Sequence, residues 1–501
     1  MLRRTGYCLT ICALGLALAL PAQAQAPDRY EAPGLTRSPA ITSGGDYGLP
    51  SLTGSDSQAI SGEEYRLGRA WLRQFRARAP QWQDAIAQDY VESLVARLLP
   101  HSGLGNARTA VVLVESRLLN AFAVPGGIIG VNAGLLAFAE REAELASVVA
   151  HELGHLAQRH YARGQARAEQ TQIPAMAAML AGMLIAAGGG GDAGIAAAMG
   201  SQAAVIQDQL SYSRRFEQEA DRVGLQAMAD AGYQPSAMVT MFRAMQRMVS
   251  LQGGNPPEFL LTHPVTESRI SDTQARAEQI TVAAPREGDL QYQLVRARAL
   301  LTIHDRDPQQ ASTRLTQDQV PETARRYLDA LINARAGQTD RALKELDALT
   351  RSQPDLAMLP ASAAQVAFEA DRIDEAINRS RRQLRLMPDY APASRLLGEA
   401  LLQRDPDEAY RVLRDLVDSR PEDPQAFTLL AEAAGRSGRE AWGHLARAEQ
   451  LQLTGHIDRA IRQLEVAKDV AVREGDTTAA SHIEQRREAF IGYRETLEEF
   501  Q

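Results

Sequence analysis

The sequence predicts a mainly α chain: an α+β front domain with a small sheet, followed by an α-solenoid of paired helices. Three observations carry this. Apolar residues recur every three or four positions from Gly62 onward and through the C-terminal half. Two short β-branched runs, TAVVLVE and GGIIGVN, interrupt that spacing once. Prolines and alanines in the C-terminal half repeat at steps of 34 and 33 residues.

The first residues, MLRRTGYCLTICALGLALALPAQAQAP, place Arg3 and Arg4 before an apolar run from Tyr7 to Leu20 and the small-residue pattern Ala22-Gln23-Ala24. Residues 1–24 read as a secretory signal peptide cut after Ala24. The other reading, a membrane anchor, calls for about 20 apolar residues, more than this run supplies. Cys12 sits in LTICA, without the small preceding residue that a lipoprotein signal prefers. Cys8 and Cys12 are the only cysteines and both fall in the leader, so a metal site in the mature chain has to use His, Asp and Glu. The formal net charge is −8, and loss of Arg3 and Arg4 makes it more negative, which argues against nucleic acid as a partner. Residues 25–61, rich in Gly, Pro, Ser and Thr, form an extended lead-in without period.

The front domain is expected over 62–285. GEEYRLGRAWLRQF and DAIAQDYVESLVARLLP carry helical spacing, and the two β-branched runs read as two strands joined through SRLLNAFAVPG with a Pro-Gly turn. A helix follows from near Phe138 to Gly164, with Glu140, Glu142 and Glu144 at the positive end of its dipole. The Ala-, Gly- and Met-rich segment 174–206, broken by four glycines, reads either as a helical hairpin covering a groove or as one dipping into a membrane surface; neither half reaches spanning length.

From about Asp289, within an expected repeat domain of 286–501, Pro354, Pro388 and Pro421 keep step with Ala342, Ala376 and Ala409 in DRALKEL, DEAINRS and DEAYRVL. That period fits the tetratricopeptide repeat, although its tryptophan, glycine and tyrosine markers are mostly missing. A single helix pair cannot bury its apolar face, so such repeats stack and present a concave surface suited to a polypeptide partner.

The chemistry concentrates in VVAHELGHLAQRHYARG. His151 and His155 are four apart, hence on one helical face, and both can turn a ring nitrogen toward one zinc ion. Glu152 points beside that face, where it can act as general base on a water without taking a coordination position. A catalytic zinc needs a third protein ligand, and RRFEQEADRVGLQAMADAG supplies Glu217, with Asp221 four residues on to hydrogen-bond the outer nitrogen of a ligating histidine. Glu219 lies about 200° round the helix from Glu217 and does not replace it. Gly154 costs about 1 kcal/mol in a helix relative to alanine, so it implies the close passage of another backbone, that of the ligand helix. His160 is expected at the surface.

HELGH followed by EQEAD, together with NAFAVPGGIIGVNAGLL and LTHPVTESRI, resembles the gluzincin metallopeptidases of the CAAX-prenyl-protease and HtpX family over roughly Glu63 to Gln279. The resemblance implies one zinc on His151, His155 and Glu217, Glu152 as base and Asp221 behind a ligand. It also implies that His263 can approach the zinc as a regulatory fourth ligand and hold the enzyme inactive; the other reading is that His263 and Arg269 only order a loop. It further implies an endopeptidase of the periplasm, in association with the outer membrane or free of it, for which unfolded or stalled outer-membrane β-barrel proteins are the substrates and the repeats meet the assembly machinery; the lack of clear spanning helices, a departure from integral-membrane relatives, favours a soluble periplasmic form. Peripheral membrane contact through 174–206 stays open. A chaperone or assembly adaptor with a rarely used zinc is the second reading, and a zinc hydrolase of small molecules the third.

Overall fold

The computed structural model describes residues 62–105, 107–167, 213–251, 257–286 and 288–499. The expected leader, the lead-in and the hairpin at 174–206 lie outside them. Helix α1 (Gly62–Arg78) opens on Glu63 and Glu64 and closes on Arg76 and Arg78, each sign at the favourable end of the dipole. Helix α2 (Ala85–Leu98) begins where the Asp84 carboxylate accepts from the Ile86 and Ala87 N–H groups at 3.1 and 3.0 Å.

The sheet has three strands rather than the two expected. Strands β1 (Ala110–Val114), β2 (Ala121–Val124) and β3 (Ile128–Asn132) lie in the order β1-β3-β2. The Pro-Gly turn does make a hairpin, but its first arm is AFAV; TAVVLV pairs parallel with β3 from the other side. The central strand is therefore IIGVN, buried along its whole length, and β2 forms an edge.

The expected helix from Phe138 to Gly164 is divided into three. Helix α3 (Ala133–Phe138) stops at Ala139, α4 (Glu142–Ala157) carries the histidine pair, and the chain turns at residues 158–159 before α5 (residues 160–167). Tertiary partners make the first break tolerable. From α10 (Leu290–Ile303), Tyr292 donates to the carbonyls of Leu136 and Ala139, Gln293 to that of Glu140 and Arg296 to that of Ala137, so carbonyls a helix would have used stay satisfied. At the restart the Glu144 side chain accepts the Glu140 N–H at 2.7 Å, and Glu142 takes Tyr90 and Arg97. The second break has Arg159 at φ 50°.

Helices α6 (residues 213–230), α7 (Ser236–Leu251), α8 (Glu258–Thr262) and α9 (Glu267–Ala277) complete the front part. After α10 and α11 (Pro308–Gln317) come five helix pairs: α12 (Glu322–Arg335) with α13 (Thr339–Ser352), α14 (Met358–Glu369) with α15 (Ile373–Leu386), α16 (Ala391–Leu401) with α17 (Pro406–Ser419), α18 (Pro424–Arg436) with α19 (Glu440–Leu453), and α20 (Ile457–Glu474) with α21 (Thr477–Glu499). The period has a structural cause. Ala342, Ala376 and Ala409 are each fully buried, in α13, α15 and α17, and Pro354, Pro388 and Pro421 each follow the end of one of those helices, where a missing N–H does no harm.

One hydrophobic cluster runs without interruption from Trp82 through α4 and α10 to Ala446 of α19, and a second joins Ala70 of α1 to α19, α20 and α21. Ion pairs reinforce the contact: Arg420 with Asp89 at 2.8 Å and with Glu92, Arg298 with Asp84 at 2.6 Å, and Arg69 with Glu422 at 2.5 Å. Part of the repeat surface is thus occupied by the chain's own α1 and α2. Among the described residues no helix is long and apolar enough to cross a membrane.

Candidate metal centre

Two glycines bring the site together. A Cβ on Gly154 would lie 2.7 Å from the Ala220 carbonyl oxygen, and one on Gly224 would lie 3.1 Å from the His151 nitrogen. Helices α4 and α6 therefore touch backbone to backbone, as Gly154 led us to expect, and Gly224 provides the reciprocal gap. This approach sets Glu217 and Asp221 against the histidine face of α4.

His151 Nε2 lies 3.0 Å from His155 Nε2, 3.4 Å from Glu217 Oε2 and 3.3 Å from His263 Nδ1. Glu217 Oε1 is 3.2 Å from His155 Nε2 and 3.0 Å from His263 Nδ1. One ligand atom from each of His151, His155, Glu217 and His263 falls within 4.8 Å of the others. Four donors about 2.0–2.1 Å from a common centre at tetrahedral angles stand about 3.3 Å apart, close to the separations found. Imidazole and carboxylate donors also suit zinc. The residues present fit a metal ion.

Two chains of hydrogen bonds turn the histidine lone pairs inward. Asp221 Oδ1 is 2.9 Å from His151 Nδ1, which holds a proton there and points His151 Nε2 toward the centre. Asp221 is itself gripped by Arg269 at 2.6 and 2.7 Å. On the other side Glu219 accepts from His160 Nε2 at 3.1 Å, and His160 Nδ1 lies 3.0 Å from His155 Nδ1. With Glu219 fixing the His160 tautomer, the His155 proton sits on Nδ1 and its Nε2 faces the centre.

His160 is therefore not the surface residue expected: it is 5% exposed and stacked on Phe216 at 4.1 Å. On an unbroken helix its i+5 position would point away from His155. The turn at 158–159 redirects it, and no local sequence signal announces a positive φ at an arginine.

Charge follows the same geometry. Burial works against the His151 imidazolium, yet Asp221 and Glu217 outweigh it and push the group up to about 9. Burial takes His155 down to about 3 despite Glu217. Glu217 is held well below the usual carboxylate range, its burial outweighed by hydrogen bonds from His151, His155 and His263. Burial raises Glu152, 2% exposed, with His263 and His151 opposing. Among the described residues its Oε1 has no hydrogen-bond partner, and it lies 3.7 Å from His263 Nε2. A buried carboxylate oxygen without a partner is costly, and is the arrangement expected of a base waiting for a water proton.

A cleft of about 690 Å³ opens on this centre, lined by Glu152, His155 and His263 together with edge strand β2, Trp71 and Phe75. His263 ends α8, its N–H bonded to the Phe259 carbonyl at 2.8 Å and its ring stacked on the Phe259 ring at 4.8 Å.

Comparison with known proteins agrees with this chemistry. Residues 85–277 match the model of peptidase family M48, and residues 367–433 that of a tetratricopeptide repeat. The beta-barrel assembly-enhancing protease of Escherichia coli (strain K12) is 30% identical over 440 residues, covering 86% of this chain and 88% of that protein. A putative beta-barrel assembly-enhancing protease of Vibrio cholerae is 31% identical over 433 residues, covering 85% and 88%. The mitochondrial metalloendopeptidase OMA1 of Arabidopsis thaliana is 26% identical over 240 residues, covering 46% and 42%. The chain belongs to peptidase family M48, and is a metallopeptidase followed by tetratricopeptide repeats.

Proposed function

We propose that the protein is a periplasmic endopeptidase that holds one zinc on His151, His155 and Glu217, degrades misfolded or stalled outer-membrane proteins and assists their assembly. The observation that carries this is the convergence of four ligand atoms beside Glu152 Oε1, which has no partner among the described residues. The names of the relatives support the link to β-barrel assembly, and the leader at 1–24 supports export. We assign the peptidase to 62–285 and the repeats to 286–501.

Bound zinc would supply Lewis-acid polarisation of the scissile carbonyl and a readily ionised water. The chain's own part is proton transfer and placement. Glu152 accepts the water proton as the carbonyl is attacked and delivers it to the leaving nitrogen; burial raises its basicity toward what a general base needs. Asp221 and Arg269 fix the His151 ring, and the Ala123 N–H, bonded to Glu152, fixes the base. Edge strand β2 offers backbone groups to an extended substrate, giving affinity with little sequence choice.

His263 is the regulatory residue in this reading. It completes a four-donor set and stands next to Glu152, so it has to withdraw before a substrate carbonyl can enter. The same closure is the one observation favouring an adaptor with a structural zinc. Digestion of an unfolded barrel protein separates the two. The peptidase reading expects cleavage that His263→Ala accelerates and Glu152→Gln abolishes; protection from aggregation with no cleavage by any variant would favour the adaptor.

A further inference from the structure

We propose that the cleft selects extended substrate strands whose large apolar side chains fall at every second residue, with Phe122, Trp71 and Phe75 as the residues that read them. This rests on the peptidase reading and specifies its substrate.

The register of the hairpin decides which groups face the cleft. Asn132 N–H donates to the Asn120 carbonyl at 3.1 Å, so that opposed pair is hydrogen-bonded. Pairs alternate along an antiparallel ladder, which makes Phe122 opposite Gly130 and Val124 opposite Ile128 the next bonded pairs. Ala121 and Ala123 consequently turn their N–H and C=O groups outward. The Ala123 N–H is taken by Glu152; among the described residues no strand covers this edge.

A chain joining the edge antiparallel bonds at Ala121 and at the Ala123 carbonyl, so its residue opposite Phe122 forms a non-hydrogen-bonded pair, with Cα atoms about 4.5 Å apart and side chains at their closest. That residue meets an aromatic corner. The Phe122 ring lies over Gly130, where a Cβ would come within 2.0 Å of Phe122 Cζ, so glycine is what lets the ring lie there. Trp71 and Phe75 stack at 4.8 Å, and both meet Phe122 edge-on at 5.6 and 5.4 Å. All three rings are half-buried and line the cleft.

The substrate's neighbouring residues point to the opposite face of the sheet. There they meet the small side chains of Ala121 and Ala123 together with Glu152, His155 and His263. The cleft is aromatic on one side of the substrate backbone and polar on the other. A strand that alternates large apolar with small or polar residues satisfies both sides at once, and this dyad pattern is the one transmembrane β-strands carry.

The test uses two labelled peptides of identical composition and about ten residues, the length of a membrane-spanning strand. One places its large apolar residues at every second position, the other in two blocks. Binding is read by fluorescence anisotropy on the Glu152→Gln protein, and cleavage by mass spectrometry on the unsubstituted one. The alternating peptide is expected to bind and be cut at least about fivefold better, the worth of one aromatic cross-strand contact. Phe122→Ala should bring that ratio near one, and Phe122→Leu should keep part of it. Equal treatment of the two peptides overturns the proposal, as does a ratio that survives in both Phe122→Ala and Trp71→Ala with unfolding temperatures near that of the parent. Preferential binding without Glu152-dependent cleavage would defeat the peptidase reading and leave the selectivity standing; cleavage without preference would do the reverse.

Discussion

His160 Nδ1 lies 3.0 Å from His155 Nδ1 while its other nitrogen meets Glu219 at 3.1 Å. A histidine beyond the end of the motif helix thus serves one ring of the motif as Asp221 serves the other. Loss of such a supporting partner costs metal affinity about 10- to 100-fold in comparable sites. His160→Leu is expected to weaken zinc binding by that order in competition with a chromophoric chelator, while α-helical content stays unchanged. Zinc affinity equal to that of the parent would show that His155 needs no such support.

Asp221 gives a pH signature. Burial raises its pKa, but Arg269 and His151 more than reverse this and hold it below the ordinary 3.8. A carboxylate depressed on folding contributes stability that is present above the unfolded pKa and lost as pH falls below about 3.8 toward the folded value. Asp221→Asn removes one of the two carboxylates that Arg269 meets, Glu217 at 2.7 Å being the other, and we expect a loss of about 1–3 kcal/mol at neutral pH. In urea titrations of chelator-treated protein, the gap between parent and variant should hold steady down to about pH 4 and narrow as the pH falls below that. A gap independent of pH would contradict the assignment.

Gly154 tests the helix contact. A Cβ there meets the Ala220 backbone at 2.7 and 3.0 Å, and neither atom belongs to a side chain that can swing away. Alanine would favour an isolated helix by about 1 kcal/mol, yet overpacking costs about 1–3 kcal/mol. Gly154→Ala should therefore lower the unfolding temperature and weaken zinc binding together, since α6 carries Glu217. A raised unfolding temperature would mean the helices are further apart.

The contact between peptidase and repeats predicts cooperativity. Arg73 donates to Gln452 at 2.8 Å and lies 4.0 Å from the centre of the Tyr493 ring, while Arg69 is 7% exposed and paired with Glu422. Calorimetry should show one unfolding transition for the whole chain. Glu422→Ala should cost about 1–3 kcal/mol by leaving Arg69 without its carboxylate. Two separate transitions, with the peptidase transition unmoved by the substitution, would refute the coupling.

What was legible in the sequence was what short-range geometry determines. The i, i+4 spacings placed His151 with His155 and Glu217 with Asp221, and Gly154 announced a backbone neighbour. The repeat period placed the buried alanines and the prolines after helix ends. Features that depend on distant partners were not legible. The break between α3 and α4 is tolerated because α10 supplies Tyr292, Gln293 and Arg296. The parallel pairing of β1 with β3 demoted the expected first hairpin arm to a separate strand. His160 was misplaced because its position depends on a turn at Arg159 that local propensity opposes.

The most direct measurement is zinc content beside proteolysis for the unsubstituted protein and Glu152→Gln. The account predicts one zinc per chain in both and cleavage in the parent alone, because Glu152 moves the proton without holding the metal. Loss of zinc from Glu152→Gln, or undiminished cleavage by it, would contradict that division of labour.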